Sequence, residues 1–278
     1  MGVLILAALS SLAYGSADFV GGLAAQRAHV LRVVAMSAPA GLLVEAALLP
    51  VLGAEWNRQA LAWGAASGVA NAAAFVLLYR CLAIGPMSVL SPVTAVATAL
   101  IPATVGFGRG ERLSPLGVVA VLLGLVAVVM VSASRNDSGV QVTAKALTLA
   151  LGAGAAISIQ LVALDQAPDD SGLAPILVGR LASTVLAGGA LLVVWRTTNG
   201  SGVPLRLAAT AGALDGLASI AFLLAVRQGE LAIVAVITAL YPASTILLAR
   251  FVLRERINVQ QATGLALAGG AVALLALS

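Results

Sequence analysis

The chain has 278 residues, 61% of them hydrophobic and 9% charged, with a mean hydropathy of +1.07. A soluble domain carries roughly 25% charged residues to cover its surface, so no soluble packing hides this much apolar side chain. The net charge of +4 comes from bases set singly between apolar segments, which excludes a phosphate-binding patch and a nucleic-acid partner. One cysteine, Cys81, and one histidine, His29, leave no intrachain disulfide, no Cys/His metal cluster and no thiol catalysis. No cofactor is implied.

The apolar runs last about twenty residues, the length that crosses a hydrocarbon core as helix; barrel strands would alternate in polarity over about ten. Helices are predicted near 3 to 23, 33 to 53, 60 to 81, 87 to 107 and 114 to 132. A second set is predicted near 143 to 164, 174 to 195, 205 to 225, 231 to 250 and 258 to 277. The fold class is therefore an all-α membrane protein of ten transmembrane helices. The first run lacks a basic leader and is followed by nine more, so it reads as a membrane helix rather than a signal peptide.

An ionisable side chain at the centre of a bilayer helix costs at least about 2.5–3.5 kcal/mol on insertion scales, so each marks a candidate site. In the first helix Asp18 shares a face with Ser11, Tyr14, Gly15 and Gly22. It reads as a cavity wall or as a carboxylate close enough to the helix end to reach interfacial water. Glu45, Arg80 and Arg250 fall near span ends and read as interfacial anchors. Pro102 and Pro242, inside the fourth and ninth helices, remove backbone donors and read as a kink or as a hinge. Arg180, in the seventh helix, reads as a bidentate holder of a substrate carboxylate or as the partner of a carboxylate on another helix. Asp215, in the eighth, follows Gly212 by three and precedes Ser219 by four, and reads as a cavity-lining group that binds a cation or exchanges a coupling proton, or as a buried interhelical hydrogen-bonding group. Tyr14 and Tyr241 read as surfaces for a substrate or as packing.

The longest polar connection, around Arg135-Asn136-Asp137-Ser138-Gly139, lies near the midpoint of the chain. Sliding the sequence against itself by 144 residues pairs Gly68 with Gly212, Gly85 with Gly229, Thr94-Ala95 with Thr238-Ala239, and Glu111-Arg112 with Glu255-Arg256. Ala74/Ala218, Ala99/Ala243 and Phe107/Phe251 match as well, and Asn71 falls opposite Asp215. The chain thus reads as a first repeat over 1–133, a linker over 134–142 and a second repeat over 143–278. Five spans per half is odd, so the second half enters the membrane from the opposite side and the repeats are inverted. That geometry suits alternating access to a central site. The repeated Glu-Arg pairs sit where a helix meets the next loop and read as fixing helix ends.

The ten-span layout, Leu-Ala-Tyr-Gly-Ser at 12 to 16, Gly-Glu-Arg-Leu-Ser at 110 to 114 and Arg-Glu-Arg-Ile-Asn at 254 to 258 resemble the drug/metabolite transporter (DMT) superfamily, EamA-like branch. So do the prolines of the fourth and ninth helices and the basic Arg180 of the seventh. The second helix, at Val34-Ala35-Met36-Ser37, has no matching arginine, and the two prolines stand 140 rather than 144 residues apart. The resemblance implies a secondary carrier of small organic solutes in the cell inner (plasma) membrane, often an exporter of amino acids or related metabolites. It also implies that the third and eighth helices, hence Asn71 and Asp215, line the central cavity. The substrate-binding candidates are Asp215, Asn71, Asp18, Tyr14, Arg180, Tyr241 and Ser219, with the lipid bilayer and a small solute as partners.

Other classes of function fit less well. The sequence has no His-rich motif, nucleophile elbow or phosphate loop for an integral-membrane enzyme, while a static scaffold or channel subunit stands as the alternative. Four Lys/Arg flank the side of the termini and ten the other side, which places the termini outside by the positive-inside rule. The resemblance implies termini in the cytoplasm.

Overall fold

The computed structural model describes residues 2–84, 87–110, 114–132, 143–194, 202–252 and 259–277. Glu111, Arg112, Glu255, Arg256 and the linker 134–142 lie outside those residues. The described chain forms helices α1 (Gly2–Arg27), α2 (Val30–Leu52), α3 (Arg58–Ile84), α4 (Met87–Gly108) and α5 (Pro115–Ser132). They are followed by α6 (Ala144–Asp165), a short 3-10 turn (Asp169–Ser171), α7 (Ala174–Val194), α8 (Leu205–Val226), α9 (Leu231–Thr238), α10 (Pro242–Val252) and α11 (Val259–Leu277).

Among the described residues seven segments are long and apolar enough to cross a membrane, α9 and α10 counting together as one, and Val93–Gly108 and Pro115–Ala127 are shorter apolar stretches. The distribution of polarity is the reverse of a soluble domain's. Ile5, Leu9 and Leu12 form an exposed stripe on α1, and Leu192, Val193 and Phe251 stand more than three-quarters exposed, while Asp18, Glu45, Asn71, Arg180 and Asp215 are buried. Large apolar side chains turned outward around a polar interior are what a lipid solvent selects. The chain is a multi-pass α-helical membrane protein.

The ninth predicted helix differs from expectation, since it is two helices separated by residues 239–241. Pro242 has no N–H to give to Thr238, and its ring crowds that carbonyl. The backbone therefore tightens into i→i+3 bonds, Leu240 N to Ile237 O at 3.1 Å and Tyr241 N to Thr238 O at 3.1 Å. It restarts with Pro242 at the first position of α10, where a missing donor costs nothing. α4 runs unbroken through Pro102.

Packing runs mainly between the two halves. α1 lies along α8, α3 along α6 and α7, α2 along α8 and α7, α4 along α6, and α5 along α11. Two of these crossings need glycine. A Cβ on Gly212 would stand 1.8 Å from the carbonyl oxygen of Ser37, and one on Gly68 would stand 2.2 Å from that of Gly179. Backbones this close gain dispersion contact that larger residues would forbid, the usual device where lipid supplies no hydrophobic drive between helices.

Buried apolar side chains gather in two clusters. One, with Leu161, Leu164, Leu177, Phe222, Leu223, Leu231 and Ile237, lies toward the end of the bundle that carries the α2–α3, α6–α7 and α8–α9 connections. The other, with Phe19, Val33, Val34, Phe75, Leu78 and Leu82, lies toward the opposite end. The buried charges fall between them.

Candidate functional site

The polar belt begins with Arg180 on α7. Its Nε donates to Glu45 Oε1 on α2 at 2.9 Å, and its Nη2 stands 2.9 Å from the same oxygen. Nη2 also lies 2.5 Å from Asp215 Oδ2 on α8, an ion pair by distance but out of line for a hydrogen bond, and donates to Ser219 Oγ at 3.3 Å. The guanidinium carbon sits 5.9 Å from the centroid of the Phe75 ring. One cation thus answers two carboxylates from two helices.

This arrangement corrects the reading of Glu45 as an interfacial anchor. Its side chain is 0% exposed and paired with Arg180. The signal was available in the sequence: eight residues, about 12 Å of helix, separate Glu45 from the predicted span end, too far for a short carboxylate to reach water. An intramembrane arginine also requires an anion nearby.

Beside the ion pairs is a cavity whose empty space, counted together with its open side, is about 430 Å³. α1 supplies Tyr14 and Asp18, α3 Asn71 and Phe75, and α8 Asp215. Thr98 of α4, Gln160 of α6, and Thr238 and Tyr241 at the α9–α10 break complete its polar wall. A second cavity of about 220 Å³ adjoins it, bordered by Glu45, Ser67, Arg180 and Ser219. Asn71 and Gln160 border both. Asn71 Nδ2 donates to Gln160 Oε1 at 2.9 Å, so this amide pair forms part of the partition. Tyr14 crosses it too, its hydroxyl 3.1 Å from Ser219 Oγ.

The break in the ninth helix positions the far wall. Tyr241 turns its hydroxyl to that of Thr94 and to the Ser91 carbonyl, the latter at 3.4 Å. α1 presses against the break at Gly15, where a Cβ would stand 2.0 Å from the Tyr241 carbonyl oxygen, and Thr245 Oγ1 donates to the Gly15 carbonyl at 2.9 Å. That contact brings Tyr14 and Asp18 beside Tyr241. Asp18 is 7% exposed and has no hydrogen bond or ion pair among the described residues.

Of the sequence candidates, Tyr14, Asp18, Asn71, Asp215 and Tyr241 line the larger cavity, and Arg180 and Ser219 the smaller. Pro102 and Pro242 line neither. Sequence reasoning missed Gln160, Thr98, Thr238 and Phe75. Gln160, set in Ile157-Ser158-Ile159-Gln160-Leu161, carried the signal of a polar side chain within an apolar run. Phe75 carried none.

At one end of the bundle the connections are fastened together. Glu55 N donates to Ser171 O at 3.1 Å and Leu173 N to Gly53 O at 2.9 Å, tying the α2–α3 loop to the α6–α7 loop. Arg227, just past α8, donates from Nη2 to Ser171 Oγ at 2.9 Å and to Pro168 O at 3.3 Å. Partial burial lowers the Arg227 pKa below the ordinary arginine value, opposed by the charges of Asp169 and Asp170. Arg109 pairs with Asp165 at the same end. Among the described residues no three His, Cys, Asp or Glu side chains are grouped to hold a metal ion.

Residues 144–277 match the family model described as the EamA-like transporter family. The match spans 134 of the 278 residues, all in the second half of the chain. That family lies within the DMT superfamily and its members are transporters rather than enzymes, so the match points to a membrane transporter of the DMT type. No curated protein matches the chain. A solved structure described only as "Crystal structure of protein" is 19% identical, with a TM-score of 0.72 over 98% of this chain and 96% of that one. At that identity the likeness is one of fold alone.

Proposed function

We propose that the protein is a secondary active transporter that moves small organic solutes across the cell's plasma (inner) membrane by alternating access. In this reading ten spans form two inverted repeats, 1–133 and 143–278, joined by the linker 134–142. The observation that carries it is the larger cavity, whose polar walls come from α1, α3 and α4 of one half and from α6, α8 and the α9–α10 break of the other.

Three features support the reading. Exchanging the halves, so that α1 stands for α6, α2 for α7 and α3 for α8, converts the α1–α8 contact into α6–α3 and the α2–α8 contact into α7–α3, and all four occur. A two-fold relation between halves requires such pairs. The cavity lies between two apolar clusters, one toward each end of the bundle, where a carrier needs its closing surfaces. A broken helix borders it, the irregular backbone that carriers place only against protein or a cavity.

Export of amino acids or related metabolites is the form of this activity that the family resemblance implies. The substrate-binding set is then Asp18, Asn71, Asp215, Tyr14 and Tyr241 in the larger cavity, with Arg180 and Ser219 behind them. Counterflow in proteoliposomes loaded with an unlabelled amino-acid and amine mixture tests transport. A labelled member of the mixture should exchange saturably and only with the protein present; a scaffold gives none, and a channel subunit gives leak without saturation. Asp215→Asn tests proton coupling, since pH-driven flux unchanged by the variant would remove Asp215 from that role.

A further inference from the structure

The buried belt is short of positive charge. Asp18, Glu45 and Asp215 face a single guanidinium, Arg180, and all four are at most 7% exposed. Arg180 directs its Nε and Nη2 at Glu45, Asp215 and Ser219, its Nη1 has no hydrogen-bond partner, and it borders the smaller cavity but not the larger. Among the described residues no lysine or arginine lines the larger cavity. An anion entering there would meet carboxylates and no free cation.

The open hydrogen-bonding atoms point the same way. Asn71 spends its donor on Gln160 and leaves Oδ1 without a partner. Thr238 Oγ1 has no partner, the Asp18 carboxylate has no hydrogen bond or ion pair among the described residues, and Asp215 Oδ2 is met only by Arg180 Nη2 at 2.5 Å. All border the larger cavity, and apart from the hydroxyl they are acceptors when the carboxylates are ionised. Three aromatic rings, Tyr14, Phe75 and Tyr241, share the wall, out of eleven Phe, Trp and Tyr in the whole chain. Ring faces attract cations through their quadrupole. Leu78, Ile157 and Leu161 complete an apolar side suited to a hydrocarbon body.

We infer that the larger cavity takes a monovalent organic cation, an ammonium head on a small apolar body, with the head between Asp18 and Asp215 and its N–H groups on Asn71 Oδ1 and the two carboxylates. The inference rests on the transporter reading for its biological sense, but binding alone tests it. Asp18 is then a carboxylate kept unpaired for the ligand, and the fold without ligand bears the cost of burying it.

The test uses the full chain in detergent and matched probes: primary, quaternary and guanidinium cations on phenyl and alkyl bodies, each with its neutral alcohol and anionic carboxylate twin. Binding is read by calorimetry and by thermal unfolding. At least one cation should bind ten-fold or more tightly than both its twins. Asp18→Asn should weaken that cation at least ten-fold while unfolding at a temperature equal to or above wild type without ligand. Asp18→Ser gives the same reading should the Asn variant fail to fold. Preference for the carboxylate twins, no preference for any cation, or cation binding unchanged in both variants would overturn the inference. Saturable counterflow of neutral or anionic solutes, with no cation bound, would retain the transporter and discard the cation site. Cation binding without flux would retain the site and discard the transporter.

Discussion

Two carboxylates of the same depth meet different fates in this bundle. Asp215 on α8 shares Arg180 with Glu45, so that three helices are held by one cation, whereas Asp18 on α1 is as deeply buried and answered by nothing among the described residues. A buried charge that is paired fixes the helices bearing it, and removing its partner is expensive because the charge left behind cannot be hydrated. One left unpaired weakens the fold but remains available to a ligand. The belt thus divides into a structural side around Arg180 and Glu45 and a binding side around Asp18 and the α9–α10 break, with Asp215 paired to the first and bordering the cavity of the second.

The strongest way to break this division is Arg180→Met, which strands Glu45 and Asp215 together. Loss of one partner of a buried pair costs about 3–5 kcal/mol, so the variant should lose its monodisperse peak in fluorescence size-exclusion or unfold far below wild type. Adding Glu45→Gln and Asp215→Asn should restore much of the loss; no recovery would mean that the arginine stabilises by packing alone. Next in size is Gly212→Ala, whose Cβ would stand 1.8 Å from the Ser37 carbonyl oxygen. Overpacking costs about 1–3 kcal/mol, whereas Gly189→Ala, which meets nothing within 4 Å, should be neutral or stabilising in the same melting assay.

Asp18→Asn sharpens the contrast from the other side, because it removes an unpaired charge and should raise thermal stability by on the order of 1 kcal/mol. A fall comparable to that of Arg180→Met would place Asp18 on the structural side. The smallest change is expected at the periphery. Arg109 is 37% exposed in its pair with Asp165, and exposed pairs contribute about 1 kcal/mol or less. Arg109→Gln should therefore shift melting slightly, and less in high salt than in low.

Much of this was legible in the sequence because hydropathy acts through composition. Runs of twenty apolar residues can satisfy their backbone in lipid only as helix, so the helices fall where the runs do. The polar census found Asp18, Arg180 and Asp215 because a charge within an apolar run is conspicuous. What was missed depends on depth and pairing. Glu45 was misread because a carboxylate toward a predicted span end resembles an anchor until the partner on α7 is seen. The segment around Pro242 was read as a kink or a hinge within one helix, since proline chemistry alone does not distinguish a bend from an interruption; α4 carries Pro102 without one. Phe75 looks like any lipid-facing aromatic until its ring lies against Arg180.

Alternating access through the larger cavity is tested most directly by a cysteine at Thr98, in a chain whose one native cysteine, Cys81, is replaced by serine. Cys81 donates only to the Ala146 carbonyl, a role serine keeps. Thr98 is 1% exposed and borders the cavity. In right-side-out and inside-out vesicles, a membrane-impermeant thiol reagent should modify the Thr98→Cys variant from both sides of the membrane. Modification from one side only, or from neither, would contradict a carrier that alternates and leave a fixed bundle.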